Sequence, residues 1–124
     1  MDDFIKLTTA ADLQDGGMKG VMIEDHELLV AKVGGEYFIA DAHCPHMGGH
    51  LPDGRLDGTI LTCPRHHSRF DLRDGTVIRW TDWEGAQLSI GKLLRHPRPL
   101  RTYEVKVEGD DIFVGPQKAP GSAG

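Results

Sequence analysis

Hydrophobic positions along this chain fall in short runs broken by polar turn residues. Gly17–Ile23, Glu27–Val33 and Glu36–Ala40 are rich in β-branched, aromatic and aliphatic residues, the mixture that suits a pleated, partly buried strand. Turn signals separate them at Asp25-His26 and at Gly34-Gly35; the latter is a good two-residue hairpin loop because glycine reaches positive φ at little cost. Further strands are predicted over Thr59–Cys63, Arg69–Leu72 and, past the turn Asp74-Gly75, Thr76–Arg79. Arg101–Val107 and Ile112–Val114 flank Gly109-Asp110-Asp111, another hairpin. Helical character is confined to Ala10–Asp15 and part of Gly85–Leu94. Strands this short, with turns this frequent, predict an all-β antiparallel sandwich or small barrel.

At 124 residues the chain has the size of one domain, enough for a single core but not for a second, catalytic domain. The expected domain is 1–118, and residues 119–124 have nothing to bury and read as a flexible tail. No apolar run approaches the roughly 18–20 residues that span a bilayer. The first residues, Met1-Asp2-Asp3, are acidic where a signal peptide is basic. The expected location is therefore the cytoplasm.

The net charge of −5 is unevenly spread. Residues 1–60 carry 11 acids against 4 Lys/Arg, whereas residues 65–101 carry 8 basic residues against 4 acids. An acidic protein with one locally basic stretch is not a general nucleic-acid binder. It suits a chain that steers a charged protein partner.

Chemistry concentrates in two places. One is Cys44-Pro45-His46-Met47-Gly48-Gly49-His50; the other is Cys63-Pro64-Arg65-His66-His67-Ser68-Arg69-Phe70. In a reducing compartment a lone cysteine pair points to metal or redox chemistry more than to a disulfide. Each cysteine has a histidine close behind it, at i+2 in the first stretch and i+3 in the second. One thiolate and one imidazole from each of two loops give four ligands, the number a tetrahedral iron or zinc site takes.

The double motif, Cys-x-His and then Cys-x-x-His across the spacer Met47–Thr62, resembles that of the Rieske family, and the resemblance runs through most of the chain. It implies a Rieske-like β fold whose cluster-binding subdomain, about residues 43–71, is formed by the two loops. It also implies one [2Fe–2S] cluster, with Cys44 and Cys63 on one iron and His46 and His66 on the other. Gly48, Arg65, His67 and Ser68 would stand around those ligands, Ser68 at the position of a sulfur-bonding serine. No catalytic residue is implied. The expected function is one-electron transfer from a flavin reductase to a terminal oxygenase, as in the soluble, oxygenase-associated ferredoxins.

Departures from the family pattern refine this expectation. The inter-loop disulfide of the cytochrome bc members is absent, since Gly49 and Arg65 stand at its positions. Phe70 replaces a tyrosine that donates to cluster sulfur, so fewer donors predict a potential toward the low end of the Rieske range. His67 stands where glycine is usual, which leaves a His66/His67 exchange as ligand open, with spacing favouring His66. The stretch 79–99 is longer than the equivalent turn in compact ferredoxins and, with Arg65 and Arg69, is expected to help dock a partner. Two other readings stand beside the carrier: a small Rieske subunit of a reductase complex of the nitrite reductase kind, and a structural Cys₂His₂ zinc module. His43 and His50 read as solvated loop residues.

Overall fold

Leu28-Leu29-Val30-Ala31 is an unbroken apolar run, and all four side chains are buried. A strand sustains that only when both of its faces are covered. In the computed structural model, which describes residues 4–44, 49–64, 68–79 and 99–119, the run lies at the centre of the third strand. Among the described residues the strands are β1 (Ile5–Thr9), β2 (Met18–Ile23), β3 (His26–Val33), β4 (Glu36–Asp41), β5 (Arg55–Asp57), β6 (Ile60–Thr62), β7 (Arg69–Asp71), β8 (Val77–Arg79), β9 (Thr102–Glu108) and β10 (Asp111–Gln117).

They form two antiparallel sheets. The larger has the order β1-β10-β9-β4-β3-β2, and its outermost strands β1 and β2 touch each other, so it curls into a nearly closed barrel. The smaller has the order β5-β6-β7-β8.

The period of two sorts the apolar side chains into two cores. Leu28, Val30 and Ile39 join Leu7, Leu13, Ile112 and Val114 inside the barrel. Leu29, Ala31, Phe38 and Ala40 point the other way and meet Leu61, Phe70, Leu72 and Val77 of the small sheet and its surroundings. The pairings Leu29↔Ala40 and Val30↔Ile39 keep these two sets on opposite faces. Fully burying a large aliphatic or aromatic side chain contributes about 1.5–3 kcal/mol, so β3 and β4 stabilise both layers at once.

The turns match their residues. Gly34 and Gly35 have φ of 58° and 82°, the positive pair that a type I′ hairpin requires. The turn before β3 falls one residue earlier than the sequence predicts. Ile23 pairs with His26, which leaves Glu24-Asp25 as the loop, with Glu24 at φ 54° and His26 inside the strand. Asp71 organises the bend after β7. Arg73 forks onto its carboxylate, with Nη2 donating to Oδ2 at 2.6 Å and Nε to Oδ1 at 3.1 Å, and holds the carboxyl below its usual range. The Gly75 N–H then donates to the Asp71 carbonyl, and the Leu100 N–H to the Gly75 carbonyl at 2.9 Å. That bond fixes the point where the chain returns to the fold.

Two strands lie outside the expectation. β1 alternates too many polar residues to stand out, and β5 is three residues long. Of the expected helical stretches, only Ala10–Asp12 forms a 3-10 turn; 85–94 lies outside the described residues.

Ile112 is fully buried inside the barrel, away from the core shared with the small sheet. Ile112→Ala is expected to lower unfolding stability by about 2–5 kcal/mol, read as a fall in the urea midpoint with little change in slope.

Candidate metal centre

Inward rows lead to the cysteines. Ala40 and Ala42 precede Cys44 on the face toward the shared core, and Leu61 precedes Cys63 on the face opposite. Both cysteines are buried, at 4% and 1% exposure, and neither forms a disulfide. The topology thus turns two distant thiols into one core cluster.

Both loops close in the same way. The Cys44 N–H donates to the Gly49 carbonyl at 2.9 Å, and the Cys63 N–H to the Ser68 carbonyl at 2.7 Å. In each case a cysteine bonds the residue five positions on, and each enclosed segment contains a sequence-predicted histidine. A bridge between His43 and His50 continues the first closure outward. The loops meet at Gly54: a Cβ there would run into the Thr62 carbonyl, with the Pro64 ring at 3.2 Å and the Leu51 carbonyl at 3.1 Å. Glycine is required at that crossing because no side chain fits.

The first loop is also tied to the barrel by charge. His50 Nε2 lies 2.8 Å from Glu27 Oε2, and its Nδ1 lies 2.9 Å from Asp53 Oδ2. Only the doubly protonated ring donates from both nitrogens. Glu27 foremost, then Asp53, hold the His50 imidazolium above its usual pKa, against a smaller effect of desolvation. His43 Nε2 stands 3.7 Å from the other Glu27 oxygen. His50 is therefore a half-buried anchor and not the solvated loop residue expected. Glu27 and Asp53 were not foreseen; Glu27 lies 23 positions from His50 in the chain, and no local pattern links them. A second group stands nearby on β4 and β9, where the Tyr103 hydroxyl donates to Asp41 Oδ1 at 2.6 Å and His26 lies 3.1 Å from the same oxygen. Burial foremost, then Asp41, raises the Tyr103 phenol pKa.

Of the sequence-predicted site residues, the structure places Cys44, Cys63 and Ser68, all buried. His46, Gly48, Arg65, His66 and His67 lie outside the described residues. Among the described residues no group of three or more His, Cys, Asp or Glu side chains is placed to hold a metal ion. Two buried thiols at the bases of adjacent loops are nonetheless the donor pair that an iron–sulfur iron takes, and Ser68, whose carbonyl accepts from the Cys63 N–H, is buried beside Cys63.

Comparison with known proteins agrees. The Rieske [2Fe-2S] domain model matches residues 3–104. The ferredoxin component of biphenyl 2,3-dioxygenase from Rhodococcus jostii (strain RHA1) is 32% identical over 109 residues, covering 88% of this chain and 89% of the relative. The ferredoxin component of the naphthalene 1,2-dioxygenase system from Pseudomonas putida is 31% identical over 113 residues, covering 90% and 93%. In fold, the ferredoxin of carbazole 1,9a-dioxygenase from Nocardioides aromaticivorans IC177 superimposes with a TM-score of 0.74 at 24% identity, over 93% of this chain and 99% of that one.

The two sheets and the paired loops define an all-β fold, and the family match makes it that of an iron–sulfur protein. The chain belongs to the Rieske [2Fe-2S] domain family. It is an electron carrier rather than an enzyme, and its cofactor is one [2Fe–2S] cluster, which sets the zinc reading aside. Such a cluster accepts and returns a single electron when bound.

The raised pKa of His50 gives a signed prediction. A group whose pKa is higher in the folded state stabilises fully below its unfolded value, about 6.5. That contribution fades as pH rises through the folded value. The difference in melting temperature between the wild type and His50→Gln should be largest near pH 6 and shrink steadily toward pH 9. A pH-independent difference would show that the ring is held by packing alone.

Proposed function

We propose that Cys44 and Cys63 bind the inner iron of the cluster and His46 and His66 the outer one. In this reading the chain carries electrons in the cytoplasm from a flavin-dependent reductase to a terminal oxygenase. The observation that carries the ligand assignment is the matched pair of loop closures: a buried cysteine opens each loop and a histidine lies within it. The partner assignment is supported by the relatives, which are ferredoxin components of dioxygenase systems. Among the described residues no helix is long and apolar enough to cross a membrane.

Side chains around the thiols bear on the potential. Ser68 is fully buried beside Cys63 and is the hydroxyl able to donate to cluster sulfur. Phe70, also fully buried, fills its site with a ring that has no donor. Hydrogen bonds to sulfur stabilise the reduced, more negative cluster, so fewer of them lower the potential.

Anaerobic purification should give two irons and two sulfides per chain and a Rieske-type EPR spectrum on reduction. His46→Ala and His66→Ala should each abolish that spectrum, whereas His67→Ala should retain it. The opposite pattern for His66 and His67 would reassign the ligand. Redox titration should place the midpoint near the low end of the Rieske range, about −150 mV; a midpoint near the range's upper end, about +300 mV, would refute the donor argument.

A further inference from the structure

Basic residues line up across the outer face of the small sheet. The register pairs Arg55 with Thr62, Thr62 with Arg69 and Arg69 with Arg79. Leu56, Leu61 and Phe70 take the alternate positions and face the core, so Arg55 and Arg69 face away from it, and both are exposed. One strand separates them, a spacing of about 10 Å. Like charges this close on one sheet face repel.

Elsewhere four of the described lysines and arginines have a carboxylate partner. Lys6 meets Asp111, Lys19 meets Asp12, Arg73 meets Asp71 and Lys106 meets Glu108. Neither Arg55 nor Arg69 has an ion-pair partner among the described residues.

In front of this row lies a groove of about 700 Å³, whose lining includes Arg55, Arg69, Ile78, Pro64 and Cys63. The lining also includes Asp57, on the same strand face as Arg55; it lies one row farther from the second ligand loop than Arg55 and Arg69. Asp53 also lines the groove, but its carboxylate is engaged by His50. Ile78 is 52% exposed; it sits at the register break between the Arg69↔Arg79 and Phe70↔Val77 pairs. The groove therefore offers two guanidinium groups without an ion-pair partner among the described residues, an apolar anchor and a lining that includes the buried Cys63.

We propose that this groove docks an acidic surface of a redox partner protein, with Arg55 and Arg69 meeting its carboxylates and Ile78 packing between them. The proposal rests on the electron-carrier reading above. Charge selects the occupant. The chain as a whole is −5, so an acidic partner is repelled by most of it and attracted along this strip. That contrast orients the encounter as well as strengthening it.

The test uses the cluster-loaded protein, reduced, in stopped-flow mixing with two haem proteins of opposite charge, acidic cytochrome b5 and basic cytochrome c. For the wild type, the rate with cytochrome b5 should fall as ionic strength rises from about 10 to 200 mM. Arg55→Glu/Arg69→Glu should lower the low-salt rate with cytochrome b5 by about tenfold and remove its salt dependence. The same change should leave the rate with cytochrome c unchanged or higher. Arg55→Gln/Arg69→Gln should give an intermediate loss, and Ile78→Ser a loss that persists at high salt.

An unchanged rate and salt slope with cytochrome b5, in variants whose EPR spectrum is intact, would overturn the docking site. A loaded wild-type protein that reduces neither haem protein would overturn the carrier reading itself, and the docking proposal with it.

Discussion

Two thiols from residues 19 positions apart in the chain are buried in one apolar seam, and the rest of the structure serves that placement. Cys44 and Cys63 end inward-facing rows on opposite sides of the core between the barrel and the small sheet. A thiolate in such surroundings is strongly disfavoured unless a cation compensates it. Metal binding requires the deprotonated form. In the ligand assignment proposed above, burial would keep the pair inert as free thiols and would link cluster loading to the integrity of this seam.

The two loops are held unequally. The second is framed by the β6–β7 pairing on both sides, with Cys63 directly after one strand and Ser68 directly before the other. The first leaves β4 and does not return to a neighbouring strand of the same sheet. It depends on backbone bonds from Ala42 to Glu27, Leu51 to Ala42 and Cys44 to Gly49, reinforced by the His50 imidazolium between Glu27 and Asp53. A charged clamp half in contact with water is a modest device on its own. Here it acts where regular sheet pairing is missing.

Much of this was legible in the residues. The Gly34-Gly35 hairpin and the central strands follow from turn chemistry and hydrophobic pattern, and the family resemblance implies the nearness of Cys44 and Cys63 that the shared core shows. What escaped depended on distant contacts. β1 is a strand because β10 offers it an edge, not because Ile5-Lys6-Leu7-Thr8-Thr9 has a strong pattern. β5 exists because β6 pairs with it through Leu56↔Leu61. Glu27 opens a predicted strand, and only the fold brings it to His50. Gly54 carries no local signal for its role: its lack of a side chain matters because the Thr62 carbonyl crosses over it. Local propensity describes elements; it does not describe what lies across a gap.

Charge around the two loops is polarised by the same architecture. On the first-loop side, carboxylates are matched by imidazoles: Glu27 and Asp53 by His50, and Asp41 by His26. On the second-loop side the small sheet presents arginines to solvent. Within the row that holds Arg55 and Arg69 the intervening neighbour is Thr62, and the inward positions Leu56, Leu61 and Phe70 are apolar. A protein with an excess of acids overall thus keeps two exposed arginines beside its second cysteine loop. In the field of a charged partner such a molecule experiences a torque as well as a force. For a carrier that must meet its partner with the correct edge foremost, orientation limits productive encounter as strictly as affinity does.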